Sequence, residues 1–406
     1  MATRRVVVTG LGVVSAIGCS VSEFWTSLCA GRSGIGPLQY VDRTKLRFQN
    51  AAEIHDFNPL DHFDERRVDM LDRFAQFALV AARQAVGDAG VSWTPELRER
   101  TCITAGTGIG GEGTQDAGFI EVYRENRTRV HPLIIPRVMP NAGASHISME
   151  FGVTGPVYTV STACSSSNHS IGQAFWMVRN GLVDMAISGG SEAPLTFGHL
   201  KAWEALRVVS QTTCRPFSKN RDGMILGEGG AMMVLELLDA AVARGARIYA
   251  EIVGLGMSAD AFHLTQPSAE GAARAVRAAL KDGNVPPDGV GYINAHGTAT
   301  TVNDSMETRV IRMVYGDHAD RLAVSSTKSM HGHALGGTGA IEAVATVLAI
   351  HHGLLPPTAN YTDPDPACDL DVIPNAARPA EVDYALSHSF AFGGLNAVLA
   401  FRRWAK

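Results

Sequence analysis

The stretch VSTACSSSNHSIGQ (residues 160–173) joins a β-branched run to a Ser-rich helix start, with Cys164 between them. Residues 166–180 have apolar side chains at helical spacing, and Gly181 follows as a C-cap. Cys164 is therefore predicted at, or one residue before, a helix N-terminus, where free N–H groups and the helix dipole favour a thiolate. Such a junction is also a sharp turn that exposes its side chain. A packing residue, a metal ligand and a nucleophile all remain open for Cys164.

Short β-branched runs alternate with Ala-rich helical stretches along the chain, which indicates α/β layers. We predict buried strands at residues 4–10, 101–108, 157–163, 184–190, 231–237, 248–254, 290–297, 322–328 and 385–394. We predict helices at about residues 72–89, 166–180, 271–282, 305–314 and 339–352.

Two short segments resemble each other and indicate an internal duplication. VTGLGVVSA (8–16) and IVGLGMSAD (252–260) each lie at the end of an apolar run. With no Pro/Ser-rich linker near Glu251, we expect two fused halves, residues 1–251 and 252–406. We interpret the first copy as a strand followed by a turn with close backbone approach. It lacks the glycine spacing and acidic partner of a dinucleotide site, as does AGTGIGGEG.

The composition describes a chain with a sizeable core and little charge bias. Hydrophobic residues make up 46% of the 406 residues, enough for two domains or one large layered body. A net charge of −5 without a long basic run argues against a chain-wide nucleic-acid surface. The six cysteines form no C-x-x-C pair, and no apolar run reaches the length of a membrane span. We expect a reducing, cytoplasmic location.

Two of the fourteen histidines lie where strands are predicted to end. His296 lies in INAHGTAT, and His333 lies in SSTKSMHGHALGGTGAIEA, a Gly-rich segment that also holds Lys328. Ligands bind at the carboxyl ends of strands in α/β folds, so both histidines are candidate partners for Cys164. A metal site is the rival interpretation because His331 and His333 form an H-x-H. Its weakness is that no acidic or Cys ligand lies at a suitable local spacing.

A last motif, SHSFAFGGLNA (387–397), predicts a strand followed by a tight turn. Backbone N–H groups in such a turn can form half of an oxyanion hole. A hairpin glycine pair without a chemical role is the alternative.

Four motifs together resemble the elongating β-ketoacyl-acyl-carrier-protein synthases. They are TACSSS, NAHGTAT, SSTKSMHGHALGGTGAIEA and SFAFGGLN, in this order. The resemblance runs nearly end to end, through RPFSKNRDGMILGEGGAMMVLE (215–236). It implies a thiolase fold, an α/β body of five layers, α-β-α-β-α, made of two duplicated halves. Cys164 would lie in the first half, and His296 and His333 in the second.

The resemblance also implies a reaction, the decarboxylative Claisen condensation of fatty-acid or type II polyketide elongation. Cys164 would take an acyl group, malonyl-acyl-carrier protein would lose CO2, and the enolate would attack the Cys164 thioester. His296 and His333 would serve the decarboxylation. Lys328 would lie behind His333 and set its charge. Glu342 would pair with Lys328 or help to hold a structural cation.

Further roles follow from the same resemblance. The backbone N–H groups of Cys164 and Phe392 would form the oxyanion hole, and Phe392 would gate the acyl pocket. The remaining substrate contacts would come from Thr298 and Thr300 on the phosphopantetheine arm, and from Phe390, Ile109 and Trp203 at the acyl pocket.

No organic cofactor and no catalytic metal is expected, because the substrates arrive on the phosphopantetheine of an acyl carrier protein. The resemblance implies a structural Na⁺ or K⁺ near Asn294, Glu342 and Ser387.

The implied partner is an acidic acyl carrier protein, together with a second subunit. Because the net charge of −5 opposes such docking, a local basic patch is required. The candidates for this patch are Arg66, Arg67, Arg73 and Arg207. The active species would be a homodimer, or a heterodimer with a Cys-less chain-length factor.

The motifs also separate the chain from relatives of similar fold. Degradative thiolases use a second cysteine, which SFAFGGLN lacks, and initiating synthases have Asn where this chain has His333. Chain-length factors, which bind carrier protein without catalysis, lack the cysteine found at 164.

Departures from the family pattern indicate a specialised branch. His331 replaces the usual Thr, and His388, Ala391 and Leu395 alter the usual NSFGFGGTN. Ala391 replaces a glycine beside Phe392, so the mobility of this gate is expected to differ. With ACSSSNHSIGQAFWMVRNG and GHLKAWEALRVVS, these changes resemble nodulation-type or type II polyene polyketide ketosynthases.

Overall fold

The computed structural model describes residues 4–405. Within this range the strands are β1 (Val6–Ser15), β2 (Gly36–Pro37), β3 (Asn50–Ala51), β4 (Thr101–Gly106), β5 (Val157–Val160), β6 (Met185–Glu192), β7 (Gly229–Leu237), β8 (Ala250–Ala259), β9 (Val290–Asn294), β10 (Ala323–Ser325), β11 (Leu354–Leu355), β12 (Arg378–Pro379), β13 (Tyr384–Ala391) and β14 (Leu395–Arg403).

The α-helices alternate with these strands. They are α1 (Val21–Cys29), α2 (Glu65–Asp69), α3 (Arg73–Ala89), α4 (Pro95–Glu99), α5 (Glu112–Phe119), α6 (Ile134–Val138), α7 (Ala142–Phe151), α8 (Ser166–Arg179), α9 (Phe197–Leu206), α10 (Leu238–Ala243), α11 (Ala269–Asp282), α12 (Thr301–Tyr315), α13 (Lys328–His331) and α14 (Leu335–His352). A π-helical turn, Ile120–Arg124, continues α5.

Ten strands form one sheet whose order is symmetric about its centre. The order is β10-β9-β13-β14-β8-β1-β7-β6-β4-β5, and β1 and β8 pair antiparallel in the middle. Outward from the centre, each half has two antiparallel pairs and then two parallel pairs. The boundary predicted after residue 251 falls inside β8, which begins at Ala250.

Two helices lie between the halves and two cover their outer faces. Helices α8 and α14 each contact strands of both halves, whereas α3 covers β1, β6 and β7, and α11 covers β8 and β14. The two halves of the sheet form the two β layers, with α8 and α14 between them and α3 and α11 outside, which gives the α-β-α-β-α order that the resemblance implied. Helix α14 is buried from Leu335 to Ile350 because it is apolar on nearly every face.

The duplicated GLG motif packs a helix against a strand in each half. Gly10 and Gly12 lie inside β1, so the predicted turn is wrong, although the close approach is present. A Cβ on Gly12 would lie 1.9 Å from the carbonyl oxygen of Ala81 in α3. In the other half, a Cβ on Gly256 would lie 1.9 Å from the carbonyl oxygen of Ala275 in α11. Only glycine permits these distances.

All five predicted helices are present, but α11, α12 and α14 begin earlier than predicted. In α14, Gly336 and Gly337 disfavour a helix by propensity. They are needed there because a Cβ on Gly336 would lie 2.1 Å from the backbone nitrogen of Gly108. Among residues 4–405, no helix has the length and hydropathy required to cross a membrane.

Candidate active site

Cys164 lies at the junction between β5 and α8. The preceding residue, Ala163, has φ +50°, a left-handed conformation that costs energy in any residue with a Cβ. The backbone therefore makes the sharp turn that the sequence predicted. Helix α8 begins at Ser166, so Cys164 precedes the first turn and is not part of it.

Three reactive side chains converge at this junction. The Nε2 atom of His333 lies 3.2 Å from the Sγ of Cys164. The rings of His296 and His333 meet edge to face with centroids 5.6 Å apart. One heteroatom from each of the three residues lies within 4.8 Å of the other two. Tertiary folding thus brings together residues from three separate segments.

Burial decides the protonation of these groups. It raises the pKa of the Cys164 thiol to about 11, and Lys328 and two backbone N–H groups offset only part of this effect. Burial, followed by repulsion from Lys328, holds the pKa values of His296 and His333 well below the usual value. Burial therefore favours a thiol and two neutral imidazoles at rest. In this respect desolvation of the buried sulfur opposes the thiolate that a helix N-terminus favours.

Lys328 lies behind His296. Its Nζ donates to the carbonyl oxygen of His296 at 2.6 Å and lies 3.4 Å from Nδ1 of the same residue. Lys328 therefore lies behind His296 and not behind His333 as expected, although its charge still lowers the pKa of His333. An ammonium beside Nδ1 requires a lone pair there, so Nε2 of His296 carries the proton.

Glu342 pairs with Lys328, as expected, with Nζ 2.5 Å from Oε1. Both side chains are fully buried. Burial raises the pKa of Glu342 to about 7 although the ammonium opposes this rise.

His333 is held by a hydroxyl instead of a charge. Its Nδ1 lies 2.9 Å from the Oγ1 of Thr338, and its backbone N–H donates to the carbonyl of Ile225 at 2.7 Å. A hydroxyl can donate or accept, so either tautomer of the imidazole has a partner. Nε2 can consequently accept the thiol proton in one step and donate a hydrogen bond in another.

The backbone around Phe392 forms the other side of the site. The backbone N–H groups of Phe392 and Cys164 both lower the pKa of the Cys164 thiol. The turn is made possible by Gly393 and Gly394, with φ values of +82° and +69°. The N–H of Gly393 donates to the carbonyl of Leu264 at 2.7 Å, which ties the turn to a neighbouring loop. Backbone N–H donors that stabilise negative charge beside the nucleophile are what an oxyanion hole requires.

A cavity of about 460 Å³ opens onto Cys164. Among the predicted substrate contacts, its wall includes Thr298, Thr300, Phe390, Phe392 and Trp203. The hydroxyls of Thr298 and Thr300 lie 3.0 Å apart. Polar and apolar groups therefore share the wall, as a thioester substrate requires.

Among the described residues that line this cavity, Ile109 is absent. It packs against the same apolar cluster as Trp203, which contains Leu200 and Met224. Its backbone N–H donates to Glu192 at 3.2 Å. The predicted contact between Ile109 and the acyl pocket is therefore not seen in this cavity.

Comparison with known proteins identifies the family. The family model described as beta-ketoacyl synthase, N-terminal domain, matches residues 3–241, and its C-terminal counterpart matches residues 249–362. This chain belongs to the beta-ketoacyl synthase family.

The synthase resembles proteins of two biosynthetic branches. It is 46% identical over 404 residues to Nodulation protein E of Rhizobium sp. (strain N33), covering 98% of this chain and 99% of that protein. It is 41% identical over 408 residues to 3-oxoacyl-(acyl-carrier-protein) synthase 2 of Staphylococcus aureus (strain COL), covering 99% of each. The solved ishigamide ketosynthase/chain length factor matches with TM-score 0.95, 38% identity and 100% coverage of both chains. The predicted family, its fold and its specialised relatives are confirmed.

Two of the synthase's four candidate docking arginines are held by ion pairs within the chain. Arg73 donates to Glu228 at 2.7 and 2.8 Å and stacks on Phe77, which favours a structural role over docking. Arg67 pairs with Glu150. Arg66 and Arg207 are exposed, and Arg207 also lines the cavity that opens onto the active site.

A cluster of buried oxygens in the synthase lies along α14. Within the described residues, the side-chain oxygens of Asn168, Ser387 and Ser389, and Oε2 of Glu342, lack a hydrogen-bond partner. A Cβ on Gly339 would lie 2.6 Å from Oδ1 of Asn168 and 3.1 Å from Oγ of Ser389, so these two oxygens are neighbours. Unpartnered oxygens fit a hard cation.

Asn294, the third residue expected at this cation site, is engaged elsewhere. Its amide donates to the carbonyl of Glu342 at 3.2 Å and to the hydroxyl of Thr327 at 3.3 Å. It therefore orients the neighbouring backbone.

The synthase also contains a buried pair that the sequence did not reveal. The carboxylate of Glu307 accepts the N–H groups of His296 and Gly297, each at 2.8 Å, and its Oε1 lies 3.1 Å from Nδ1 of His388. In the sequence SMETRV, Glu307 is indistinguishable from an ordinary charged residue on a helix. The only available signal was His388, a departure from the family pattern.

Proposed function

We propose that this chain catalyses a decarboxylative Claisen condensation. It joins an acyl group, held as a thioester on Cys164, to a malonyl unit on an acyl carrier protein, and yields β-ketoacyl-acyl-carrier protein in fatty-acid-like or type II polyketide elongation. The observation that carries this proposal is the 3.2 Å contact between Cys164 Sγ and His333 Nε2, with His296 beside it. A nucleophile and two imidazoles are the groups that acyl transfer and decarboxylation need.

Acyl transfer is the first step. The sulfur of Cys164 attacks the acyl thioester carbonyl while Nε2 of His333 takes the thiol proton, since the thiol is protonated at rest. The N–H groups of Cys164 and Phe392 stabilise the tetrahedral oxyanion. The carrier's pantetheine sulfur leaves and receives the proton from His333.

Decarboxylation follows when malonyl-carrier protein enters. The bond to the carboxylate breaks, CO2 leaves, and the electron pair forms an enolate whose oxygen accepts hydrogen bonds from Nε2–H of His296 and of His333. Lys328 keeps the His296 proton on Nε2, and the Thr338 hydroxyl can donate to Nδ1 of His333. Neutral imidazole donors suit a site in which burial disfavours imidazolium.

Condensation completes the cycle. The enolate carbon attacks the Cys164 thioester carbonyl, the new C–C bond forms, and the Cys164 sulfur leaves as a thiolate. This thiolate takes up a proton from water, which restores the thiol. The Thr298 and Thr300 hydroxyls would hold the phosphopantetheine arm, and Phe390 and Trp203 would contact the acyl chain. Each turn therefore consumes one proton from solvent, and no step of the proposal needs an organic cofactor.

A structural Na⁺ or K⁺ is part of the proposal. Glu342 and Ser387 would hold it together with Asn168 and Ser389, whose oxygens are buried and unpartnered among the described residues. Such a cation would neutralise Glu342 Oε2 and stiffen the helix behind Lys328.

The proposal includes a second subunit. Exposed apolar side chains concentrate on α5, α6 and the π-helical turn, where Phe119, Tyr123 and Ile135 are 52%, 77% and 66% exposed. An apolar surface of this kind is typical of an interface. The partner would be a second copy or a chain-length factor, and the solved ishigamide ketosynthase/chain length factor supports the latter.

A non-catalytic carrier-protein-binding subunit is the competing function. It would need the docking surface but not the assembled Cys164, His296 and His333, so the geometry favours the enzyme.

A nucleophilic thiol also favours the reducing cytoplasm as the place of action. All six cysteines lie in the described part of the chain, and all six are free.

Intact-protein mass spectrometry with acyl- and malonyl-carrier protein tests the proposal. The wild type should gain one acyl mass and release β-ketoacyl-carrier protein, and Cys164→Ala should gain none. Cys29→Ala, which removes a half-buried thiol outside the cavity, is the matched control and should behave as the wild type. Acylation without elongation would direct the search to a co-purifying chain-length factor. No acylation, with or without such a partner, would refute the enzymatic function.

A further inference from the structure

The cavity wall near Cys164 contains a chain of polar contacts that the condensation chemistry does not use. Nε1 of Trp203 donates to Nε2 of His199 at 2.7 Å, and Nδ1 of His199 lies 3.9 Å from the carboxylate of Glu112. The indole stacks on Phe392, with ring centroids 6.0 Å apart and an interplanar angle of 24°. The contacts therefore run from Glu112 through Trp203 to Phe392, whose backbone N–H lowers the pKa of the Cys164 thiol.

The elements that carry these residues fix their relative positions. His199 and Trp203 are four residues apart on α9, so they share one helix face. Glu112 lies in the first turn of α5, which packs against α9. The oxygen of the Thr196 side chain caps α9 by accepting from the N–H of His199.

Hydrogen-bond chemistry fixes which nitrogen of His199 carries the proton. An indole N–H can only donate, so Nε2 of His199 must be unprotonated. Burial lowers the pKa of His199 to about 4, which keeps this imidazole neutral at neutral pH. Its single proton then lies on Nδ1, on the side of the Glu112 carboxylate.

We propose that Glu112, His199 and Trp203 form a specificity unit that holds the indole against Phe392 and so limits the bulk of the acyl group accepted by Cys164. This inference rests on the proposed condensing function and deepens it. His199 is a positioning residue in this unit, because it acts through Trp203. Without its acceptor, the indole N–H turns towards water, the ring leaves the face of Phe392, and the cavity widens.

Acyl selectivity measures this effect. The readout is the ratio of Cys164 acylation rates with hexadecanoyl- and octanoyl-carrier protein, followed by mass spectrometry. His199→Leu removes the acceptor at similar volume, and the ratio should rise about tenfold, equivalent to ~1.4 kcal/mol. His199→Gln is the rescue variant, since its side-chain oxygen can accept the indole N–H, and its ratio should stay within about twofold of the wild type.

A second variant keeps the test independent of His199. Trp203→Phe keeps an aromatic ring but loses the N–H, so it should also raise the ratio. The double variant His199→Leu/Trp203→Phe should show no more than the larger single effect, because both changes break one bond.

The outcomes separate this inference from the proposed function. Acylation in every variant with an unchanged ratio would overturn the specificity unit and leave the condensing function intact. Additive effects, or failure of His199→Gln to restore the ratio, would show that the hydrogen bond is not the cause and would also overturn it. Absence of acylation in the wild type would refute the proposed function itself.

Discussion

The Nζ atom of Lys328 lies 2.6 Å from the carbonyl oxygen of His296, in a site where Lys328 is fully buried and His296 is 4% exposed. The ammonium thus supports the backbone of one active-site histidine and faces the Nδ1 of the same ring. His333 receives no such contact and relies on the hydroxyl of Thr338. The two imidazoles are therefore positioned by different chemistry, one by a charge and one by a neutral donor or acceptor.

Lys328→Met should lower both stability and decarboxylation. It leaves the Glu342 carboxylate buried without its cation, and we expect the free energy of unfolding to fall by about 3–5 kcal/mol. It also frees the tautomer of His296, so CO2 release from malonyl-carrier protein should slow. Denaturant unfolding and a CO2-release assay measure the two effects.

The double variant Lys328→Met/Glu342→Gln separates these effects. It removes both charges, so it should recover much of the lost stability. CO2 release should remain slow, because His296 still lacks its ammonium. Recovery of the decarboxylation rate together with stability would show that Lys328 has only a structural role.

Alkylation of Cys164 should depend steeply on pH. Burial raises the thiol pKa to about 11, so the thiolate is a small fraction near neutrality and grows as pH rises. With iodoacetamide, modification of Cys164 should accelerate about tenfold per pH unit from about pH 6 to 9 without levelling off. Peptide mass spectrometry follows this cysteine separately from the others. A plateau near neutral pH would mean that the resting enzyme holds a thiolate.

Gly12→Ala should destabilise the fold. The added Cβ would lie 1.9 Å from the carbonyl oxygen of Ala81, so α3 must move away from β1. We expect a loss of about 3 kcal/mol in unfolding free energy. Gly87→Ala is the matched control. Gly87 lies in α3, no atom lies within 4 Å of its new Cβ, and the substitution should raise the free energy of unfolding by about 0.5–1 kcal/mol. Equal effects of the two substitutions would contradict the close-packing role of Gly12.

Arg207→Glu should weaken recognition of carrier-bound substrates. This exposed residue lines the cavity, and reversing its charge should repel an acidic carrier protein and raise its KM several-fold. The KM of a free acyl-pantetheine thioester should change much less. Arg32→Glu, an exposed arginine outside the cavity lining, is the control. An equal rise in KM for both substrates would place the effect inside the cavity and not at a docking surface.

Local patterns in the sequence singled out Cys164, His296 and His333 as candidates, and the family resemblance assigned their roles. Cys164 and His333 follow predicted strands, and His296 lies at the end of one. The close approach at Gly12 was also predicted, but as a turn, because glycine is the common signal for both. The contact of Lys328 with His296 instead of His333 could not be found this way, since it depends on the relative placement of distant segments.

The sequence by itself determined the α/β class and indicated the duplicated architecture through short-range periodicity. Its four ordered motifs, through their resemblance to a known family, pointed to the three reactive residues. Tertiary structure alone decided the protonation of the site, since desolvation of Cys164 requires the whole surrounding body. It also decided that Arg73 pairs with Glu228 and that Glu307 supports His296. Burial and long-range hydrogen bonds arise only when distant segments pack together, and no local pattern encodes them.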